Sequence, residues 1–449
     1  KPLLHTWSLA VEEQYYVLFP IFLVLAWRFG KNKVFWMIAV LAASSLALSE
    51  WSWRNHAVAN FYLIPTRAWE LAFGVLVAIK IDKIRISSFI VISILFAFIF
   101  PIYTLQTPNG DYLIGTESFV IEDENREELY TEDPSDFRKI KIQLWYPAES
   151  TDGYEQAPWL EDGLVVARSL SLDTGLPFFV LDHAANIMSN SFVNAPINDA
   201  LDDYPVIILS HGWRGFRNLH TDFAEDLASL GYIVIGIDHS YGSVATVFSD
   251  DDIVYLNLDA LPDRETTDEF LDYANQLVYT YASDITTTID YLEEINMESN
   301  ASRFSGKLDL SNIGLLGHST GGGADVAVAL NDTRIGALIG LDAWVEPIED
   351  NEITKGLSIP SLFIRSGDWE VGFNNVNLYS LIESSTTPSM LFQIDGTTHF
   401  DFTMVYMYSP FTTYLGFTGD VEGQYLNSIQ KSMISDFFNE NLKMIQTVK

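Results

Sequence analysis

Apolar positions along the chain fall into two regimes. Up to about residue 105 they form long runs, at roughly 15–27, 34–49, 61–79 and 86–105. The runs at 34–49 and 86–105 approach the length that crosses a hydrocarbon layer of about 30 Å. The run at 15–27 does so with Tyr15, Tyr16 and Trp27 placed at the interface. The run at 61–79 contains Pro65, Arg67 and Glu70, and charges at that depth must face protein or water, so it belongs in a helical bundle. A soluble all-helical domain is the alternative. Basic residues follow the first run (Arg28, Lys31, Lys33) and the third (Lys80, Lys83, Arg85). The preference for cytoplasmic positive charge then puts both loops inside, and everything after about residue 106 outside the membrane.

Beyond residue 106 the pattern shortens. Val/Ile/Leu-rich segments at 142–148, 205–212, 232–239, 313–319, 336–344, 361–368 and 389–396 are mostly continuous rather than alternating, as for strands buried on both faces. Amphipathic stretches at 218–230, 267–297, 321–332, 376–384 and 424–445 lie between and after them. Strands alternating with helices predict an α/β fold with a mostly parallel sheet. The predicted organisation is a transmembrane helical segment over 1–80, a further span and linker over 81–106, and a catalytic domain over 107–449.

Charge sharpens this division. Residues 1–105 carry 9 basic against 5 acidic side chains, and the remainder 16 against 55. So acidic a body argues against nucleic-acid binding, which needs a positive surface to displace counterions. It reads instead as a solubilising surface. The acidic stretch 122–136 lacks the ligand spacing of a calcium loop. The chain has no cysteine, so disulfides, thiolate zinc sites and cysteine nucleophiles are excluded.

The chemistry lies in "NIGLLGHSTGGGADVAVAL". A nucleophile on a sharp strand-to-helix turn needs small flanking residues, and Gly317 and Gly321 flank Ser319 between a strand-like and a helix-like segment. A serine merely capping a helix would share part of this pattern. A serine hydroxyl needs an imidazole to take its proton, and the sole histidine after Ser319 is His399, in "DGTTHFDF". Two carboxylates compete to orient that imidazole: Asp342, ending "IGLDAW", and Asp368, ending "FIRSGD". Both sit at a strand's carboxyl end, where catalytic groups gather, and spacing does not choose between them. Backbone N–H groups of Thr320 and of Trp213, in "ILSHGWRGFR", are the candidate oxyanion donors. His211 and His239 read as loop-formers that hydrogen-bond locally, since no third ligand is spaced for a metal. His211, Gly212, His318 and Trp344 are candidate substrate-pocket residues. No cofactor is expected.

Two resemblances follow from these motifs. The pieces "PNGDYLIGTESF", "IQLWYPA", "NSFVNAPI", "YPVIILSHGWRGFR", "LASLGYIVIGIDH", "GHSTGGG", "LDAW" and "GTTHFDF" resemble the platelet-activating-factor acetylhydrolase family of α/β-hydrolases, the plasma-type branch with bacterial relatives, over about 107–449. The resemblance implies the α/β-hydrolase fold, Asp342 as the acid, and short acyl esters, including phospholipid sn-2 acetyl or oxidised short acyl groups, as substrates. Thr320 stands where that family more often carries a bulky apolar residue, which bears on the shape of the acyl pocket. Secreted cutinase-type polyester hydrolases are similar at the elbow but place the acid where Asp368 sits; they are the alternative. Near the start, "LLHTWSLAVEEQYYVLFPIFLVL" and "NFYLIPTRAWELAFGVLVA" resemble the integral-membrane acyltransferases that acetylate cell-surface glycans. Only a middle slice of that family is matched, so the segment reads as a remnant or fusion, with acyl transfer as an alternative activity. A non-catalytic, membrane-tethered binding domain is a third reading.

The expected whole is a membrane-anchored serine esterase with its catalytic domain extracytoplasmic, and secreted if the front segment is removed. The apolar insert at 157–197 is longer than a plain connection, and reads as a lid or as extra core. The aromatic stretch 406–419 is suited to line a pocket or touch a bilayer.

Overall fold

The computed structural model describes residues 22, 26, 28–55, 97–297, 302–369 and 372–443. The chain divides into two units, Lys1–Phe98 and Ile99–Lys449.

In the first unit the run at 34–49 lies within one helix, α1 (Lys31–Asn55). Val34, Ile38 and Ser45 are buried, whereas Trp36, Val40, Leu41, Leu48 and Trp51 are exposed. Among the described residues no helix is long and apolar enough to cross a membrane. The runs expected as spans at 15–27 and 61–79 lie almost wholly outside the described residues, and the run at 86–105 is described only from residue 97. That last run does not continue as a helix to 105: helical backbone stops before Pro101, which has no N–H to give. From there the chain is irregular, and Leu105 is buried in the second unit.

The second unit holds strands β1 (Leu113–Glu127), β2 (Phe137–Ala148), β3 (Gln156–Pro158), β4 (Met188–Val193), β5 (Tyr204–Ser210), β6 (Ile233–Asp238), β7 (Ala245–Ser249), β8 (Asp252–Tyr255), β9 (Leu308–His318), β10 (Ile335–Leu341), β11 (Ser361–Ser366) and β12 (Ser389–Ile394). Its helices are α2 (Gly163–Asp173), α3 (Thr221–Ser229), α4 (Phe270–Met297), α5 (Thr320–Ala329), α6 (Asp350–Ile353), α7 (Gly372–Ser384) and α8 (Gly423–Asn441). Ten strands form one sheet in the order β12-β11-β10-β9-β5-β6-β2-β1-β4-β3, and β7 and β8 form a separate hairpin. From β12 to β6 every pairing is parallel; β2 joins β6 and β1 joins β2 antiparallel.

The parallel strands are the predicted runs; β5, β6, β9, β10 and β11 owe their Val/Ile/Leu character to two buried faces, whereas the edge strand β12 is only partly covered. Along β5, Val206 and Ile208 point into one apolar layer with α4 and α5, while Ile207 and Leu209 point into the other with α3 and α8. Five strands lie outside the predicted runs: β1, β3, β4 and the β7–β8 pair. β1 ends in an acidic, largely exposed half, held in place by pairing with β2, where Glu122 opposes Lys139 and Asp123 opposes Arg138. β4 is short and polar and adds to β1 in parallel.

The insert at 157–197 is core rather than a free flap. It supplies β4, most of β3 and α2, and Trp159, Leu160, Val166 and Ala184 are buried with Phe216, Leu219, Met404, Met407 and Tyr408. Trp159 Nε1–H donates to the carbonyl of Asn218 (2.8 Å). The insert therefore braces the loop after β5 against the segment that follows His399.

Candidate active site

All three predicted site elements converge on the carboxyl ends of the central strands. β9 ends at His318 and α5 starts at Thr320, so Ser319 alone makes the turn, with φ 56° and ψ −121°. This is the left-handed region that an L side chain seldom occupies. Three backbone hydrogen bonds hold it there: Ser319 N–H donates to Leu341 O (3.0 Å), while Ser319 O accepts from Gly323 N–H (3.0 Å) and Trp344 N–H (2.9 Å). The neighbouring glycines serve close approach rather than unusual φ. A Cβ on Gly317 would lie 2.4 Å from Asp325 Oδ2, and one on Gly321 would lie 2.4 Å from Ser210 O. Strand, helix and the end of β5 can meet under the elbow only without those carbons.

Asp342 follows β10, also with positive φ (43°). Its carboxylate is buried and accepts three hydrogen bonds: from Ser366 N–H (2.7 Å), from Ser366 Oγ–H (2.7 Å) and from His399 Nδ1–H (2.9 Å). His399 opens a short 3₁₀ turn capped by Thr398, whose side chain and N–H engage the turn reciprocally with Asp401. Burial pushes Asp342 up to about 7 and holds His399 down at about 4. The imidazole is therefore uncharged at neutral pH, and with Nδ1 committed to Asp342, Nε2 is the nitrogen left to accept a proton. Asp368 is exposed, on the 3₁₀ turn Gly367–Trp369 after β11, and the Nδ1 partner is Asp342.

The loop after β5 supplies the remaining backbone. Gly212 packs against the nucleophile so closely that a Cβ there would lie 2.7 Å from Ser319 Cβ and 3.2 Å from Ser319 Oγ. Gly212 O accepts from His211 Nδ1 (2.7 Å) and Gly215 N–H (3.0 Å). Since Gly212 C=O and Trp213 N–H share one planar peptide and point oppositely, this fixes the direction of the Trp213 donor. Thr320 N–H, in the first turn of α5, has no acceptor within the helix. Arg214, at φ 64°, is tied to Asp173 at the end of α2 by paired hydrogen bonds of 2.6–3.0 Å, which anchors the loop to the insert.

Of the four residues expected to line the pocket, Gly212 alone abuts Ser319 in this way. His211 is wholly buried, with Nδ1 on Gly212 O and Nε2 accepting from His239 N–H (3.3 Å) and near Ser243 Oγ (2.9 Å), so it braces the loop. The Trp344 indole is turned into the core beside Phe270 and contributes its backbone N–H to the elbow instead. His318 is buried, and its Nε2–H donates to the carbonyl of His399 (3.0 Å). Ser366 was not foreseen, because only the parallel register of β10 and β11, with Leu341 opposite Ile364, carries it to Asp342.

Among the described residues no group of three or more His, Cys, Asp or Glu side chains is arranged to hold a metal. A cavity of about 240 Å³ beside β1 and β2, lined by Thr116, Glu117, Ser118, Gln143, Glu161 and Asn194 among others, does not include Ser319.

Comparison with known proteins agrees with this geometry. Residues 99–447 match the family described as platelet-activating factor acetylhydrolase, isoform II, and residues 1–124 match the acyltransferase domain family. A platelet-activating factor acetylhydrolase from Canis lupus familiaris is 24% identical over 316 residues, covering 66% of this chain and 67% of its own. Cutinase est1 from Thermobifida alba is 24% identical over 261 residues, covering 57% and 72% respectively. Among solved structures, a ferulic acid esterase from Streptomyces cinnamoneus superposes with a TM-score of 0.60 at 23% identity, over 76% of this chain and 93% of that one. The likeness places the second unit in the α/β-hydrolase fold.

Proposed function

The chain belongs to the platelet-activating factor acetylhydrolase, isoform II, family, and from that premise we propose that it hydrolyses short acyl esters through Ser319, His399 and Asp342. Ser319 Oγ attacks the ester carbonyl as His399 Nε2 takes its proton. Asp342 holds Nδ1–H and compensates the imidazolium. The oxyanion accepts from the N–H groups of Trp213 and Thr320. Collapse expels the alcohol, which takes the proton back from His399, and water repeats the sequence on the acyl-enzyme. The observation that carries this reading is the 2.9 Å bond between His399 Nδ1 and Asp342 at the sheet edge that presents Ser319 on its left-handed elbow.

The substrate we propose is a phospholipid or related ester with an acetyl, or a comparably short or oxidised, acyl group at sn-2. This follows the names of the relatives, which include a probable 1-alkyl-2-acetylglycerophosphocholine esterase from Arthroderma benhamiae, 30% identical over 166 residues. A series of acyl esters from acetyl to long chains, presented as p-nitrophenyl esters and as phospholipids, tests it: activity should fall steeply with chain length, and a preference for long chains would overturn the assignment. The similarity to cutinases supports a second reading, hydrolysis of polyesters, which predicts release of soluble acids from an insoluble polyester film.

For the first unit the proposal is a membrane-embedded segment over 1–80, with a span and linker over 81–106 and residues 107–449 as an extracytoplasmic catalytic domain. The acyltransferase-type match and the large apolar side chains that α1 exposes support it. Protease added to intact cells should digest the catalytic domain while the front segment stays with the membrane after alkaline extraction. Protection of the catalytic domain would reverse the topology.

A further inference from the structure

His399 is flanked by two rings. The indole of Trp369 lies 4.1 Å from the imidazole, centroid to centroid, with 14° between planes. The imidazole of His318 lies 4.5 Å away at 34°. The indole is near parallel to the imidazole and the His318 ring is tilted against it, and two rings this close to one centroid flank it on opposite faces, since on one face they would overlap.

The two flanking rings are held differently. His318 is anchored by its hydrogen bond to His399 O, and burial keeps it uncharged. Trp369 comes from the turn after β11 and is half-buried, and its Nε1–H has no acceptor among the described residues, so stacking rather than a hydrogen bond sets its ring. The charged groups near the imidazole are Asp342 on Nδ1, Arg365, whose charge reaches Asp342 through space, Asp368 next to Trp369 in sequence, and Asp401 on the same turn as His399. Asp401 already accepts from Thr398 N–H and Gly419 N–H (both 2.7 Å). Among the described residues no guanidinium or ammonium is stacked on Trp369, and its indole also packs against the apolar layer that holds α4 and α5.

We propose that Trp369 is a positioning residue for the general base: its indole face fixes the plane of the His399 ring and stabilises the imidazolium by a cation–π interaction as it forms. The inference rests on the assignment of Ser319 and His399 above. In each half-reaction one proton moves to Nε2, from Ser319 Oγ–H as the Oγ–C bond forms or from water in deacylation. It leaves again to the departing oxygen as the C–O bond breaks. Positive charge exists on the ring only between those events, so a group that favours it lowers the barrier without tightening substrate binding. A desolvated cation over an indole face is the strong case of this interaction.

The test is the kcat and KM of the full chain on p-nitrophenyl acetate for Trp369→Phe and Trp369→Leu, and for the chain carrying mono-, di- and trifluorotryptophan at position 369 alone. Fluorine withdraws density from the π face while nearly preserving the ring's shape. Trp369→Leu should lower kcat about ten-fold with KM unchanged, Trp369→Phe should fall between, and log kcat should decline stepwise with fluorine number. Three results would overturn the inference: parent kcat in Trp369→Leu, a raised KM at constant kcat (a pocket wall only), or indifference to fluorination. Ser319→Ala assayed alongside separates the two levels. If it is inactive while Trp369→Leu is unimpaired, only the role of Trp369 fails; if it keeps the parent rate, the assignment of the nucleophile itself fails.

Discussion

Among the described residues two histidine–carboxylate pairs take nearly the same local form. His399 Nδ1 meets Asp342 at 2.9 Å and stacks on Trp369; His239 Nδ1 meets Asp284 at 3.0 Å and stacks on Tyr281 at 3.8 Å and 11°. What separates them is what else surrounds the carboxylate. Asp284 is buried among guanidinium groups, with Arg138 bonding both of its oxygens and Arg126 adding a further bond, and these charges hold its acid well below the usual range. Among the described residues Asp342 accepts bonds from Ser366 and His399, Arg365 acts on it through space without a direct bond, and burial drives it up to about 7. A carboxylate already neutralised by arginine gains little from a further cation, and that pair is a strut behind the loop after β5, where His239 N–H holds His211. A carboxylate lacking a strong positive partner gains most when its imidazole becomes charged. The pair proposed as catalytic is thus distinguished by an acid with no directly bonded guanidinium.

Substitutions can break or sharpen this contrast. The largest effect is expected at the nucleophile and base: Ser319→Ala and His399→Ala should each lower kcat on p-nitrophenyl acetate by about 10⁴-fold or more, with circular dichroism unchanged. Asp342→Asn comes next, with a loss of about 10³- to 10⁴-fold in kcat, because the amide reverses the hydrogen-bond pattern that orients Nδ1–H. At the other pair the loss should appear in stability instead. Asp284→Asn leaves Arg138 buried with part of its charge uncompensated, so unfolding in denaturant should show a loss of about 3–5 kcal/mol. The folded fraction should keep kcat within a few-fold.

The same contrast marks how far the sequence was readable. The elbow and His399 were legible because each rests on local or countable features: a glycine-flanked serine, and a single downstream histidine. The central parallel strands were legible because burial on both faces demands uninterrupted Val/Ile/Leu. Spacing left Asp342 and Asp368 open, since both end a strand, and the resemblance pointed to Asp342; the contact of Ser366 with Asp342 arises from the β10–β11 register and was not legible. Trp369 was silent for the same reason, its contact with His399 being made across two different strand ends. The outer half of β1 is absent from the expected strands because its support comes from the partner strand rather than from its own pattern.

Two smaller effects sharpen the account of Asp342. Ser366→Ala removes a donor that favours the ionised acid, so the folded-state pKa of Asp342 rises further. The ionised form then requires higher pH, and the acid limb of kcat against pH should move upward, with about a ten-fold loss near neutrality; a downward shift would contradict the role given to Ser366. Asp368→Asn should be the mildest, within about three-fold of the parent kcat, because that carboxylate is exposed and is not the group on Nδ1. Loss at Asp368 with Asp342→Asn active would exchange the two acids and move the site to the cutinase-like arrangement.

The central claim is that Ser319 is a nucleophile activated by His399, and covalent labelling addresses it without assuming a substrate. The full chain treated with a fluorophosphonate should carry one adduct, mapped by mass spectrometry to the peptide containing Ser319. Labelling should be slowed by a short acyl ester and abolished in His399→Ala. An unlabelled Ser319 in folded protein, or an adduct on another serine, would contradict the account.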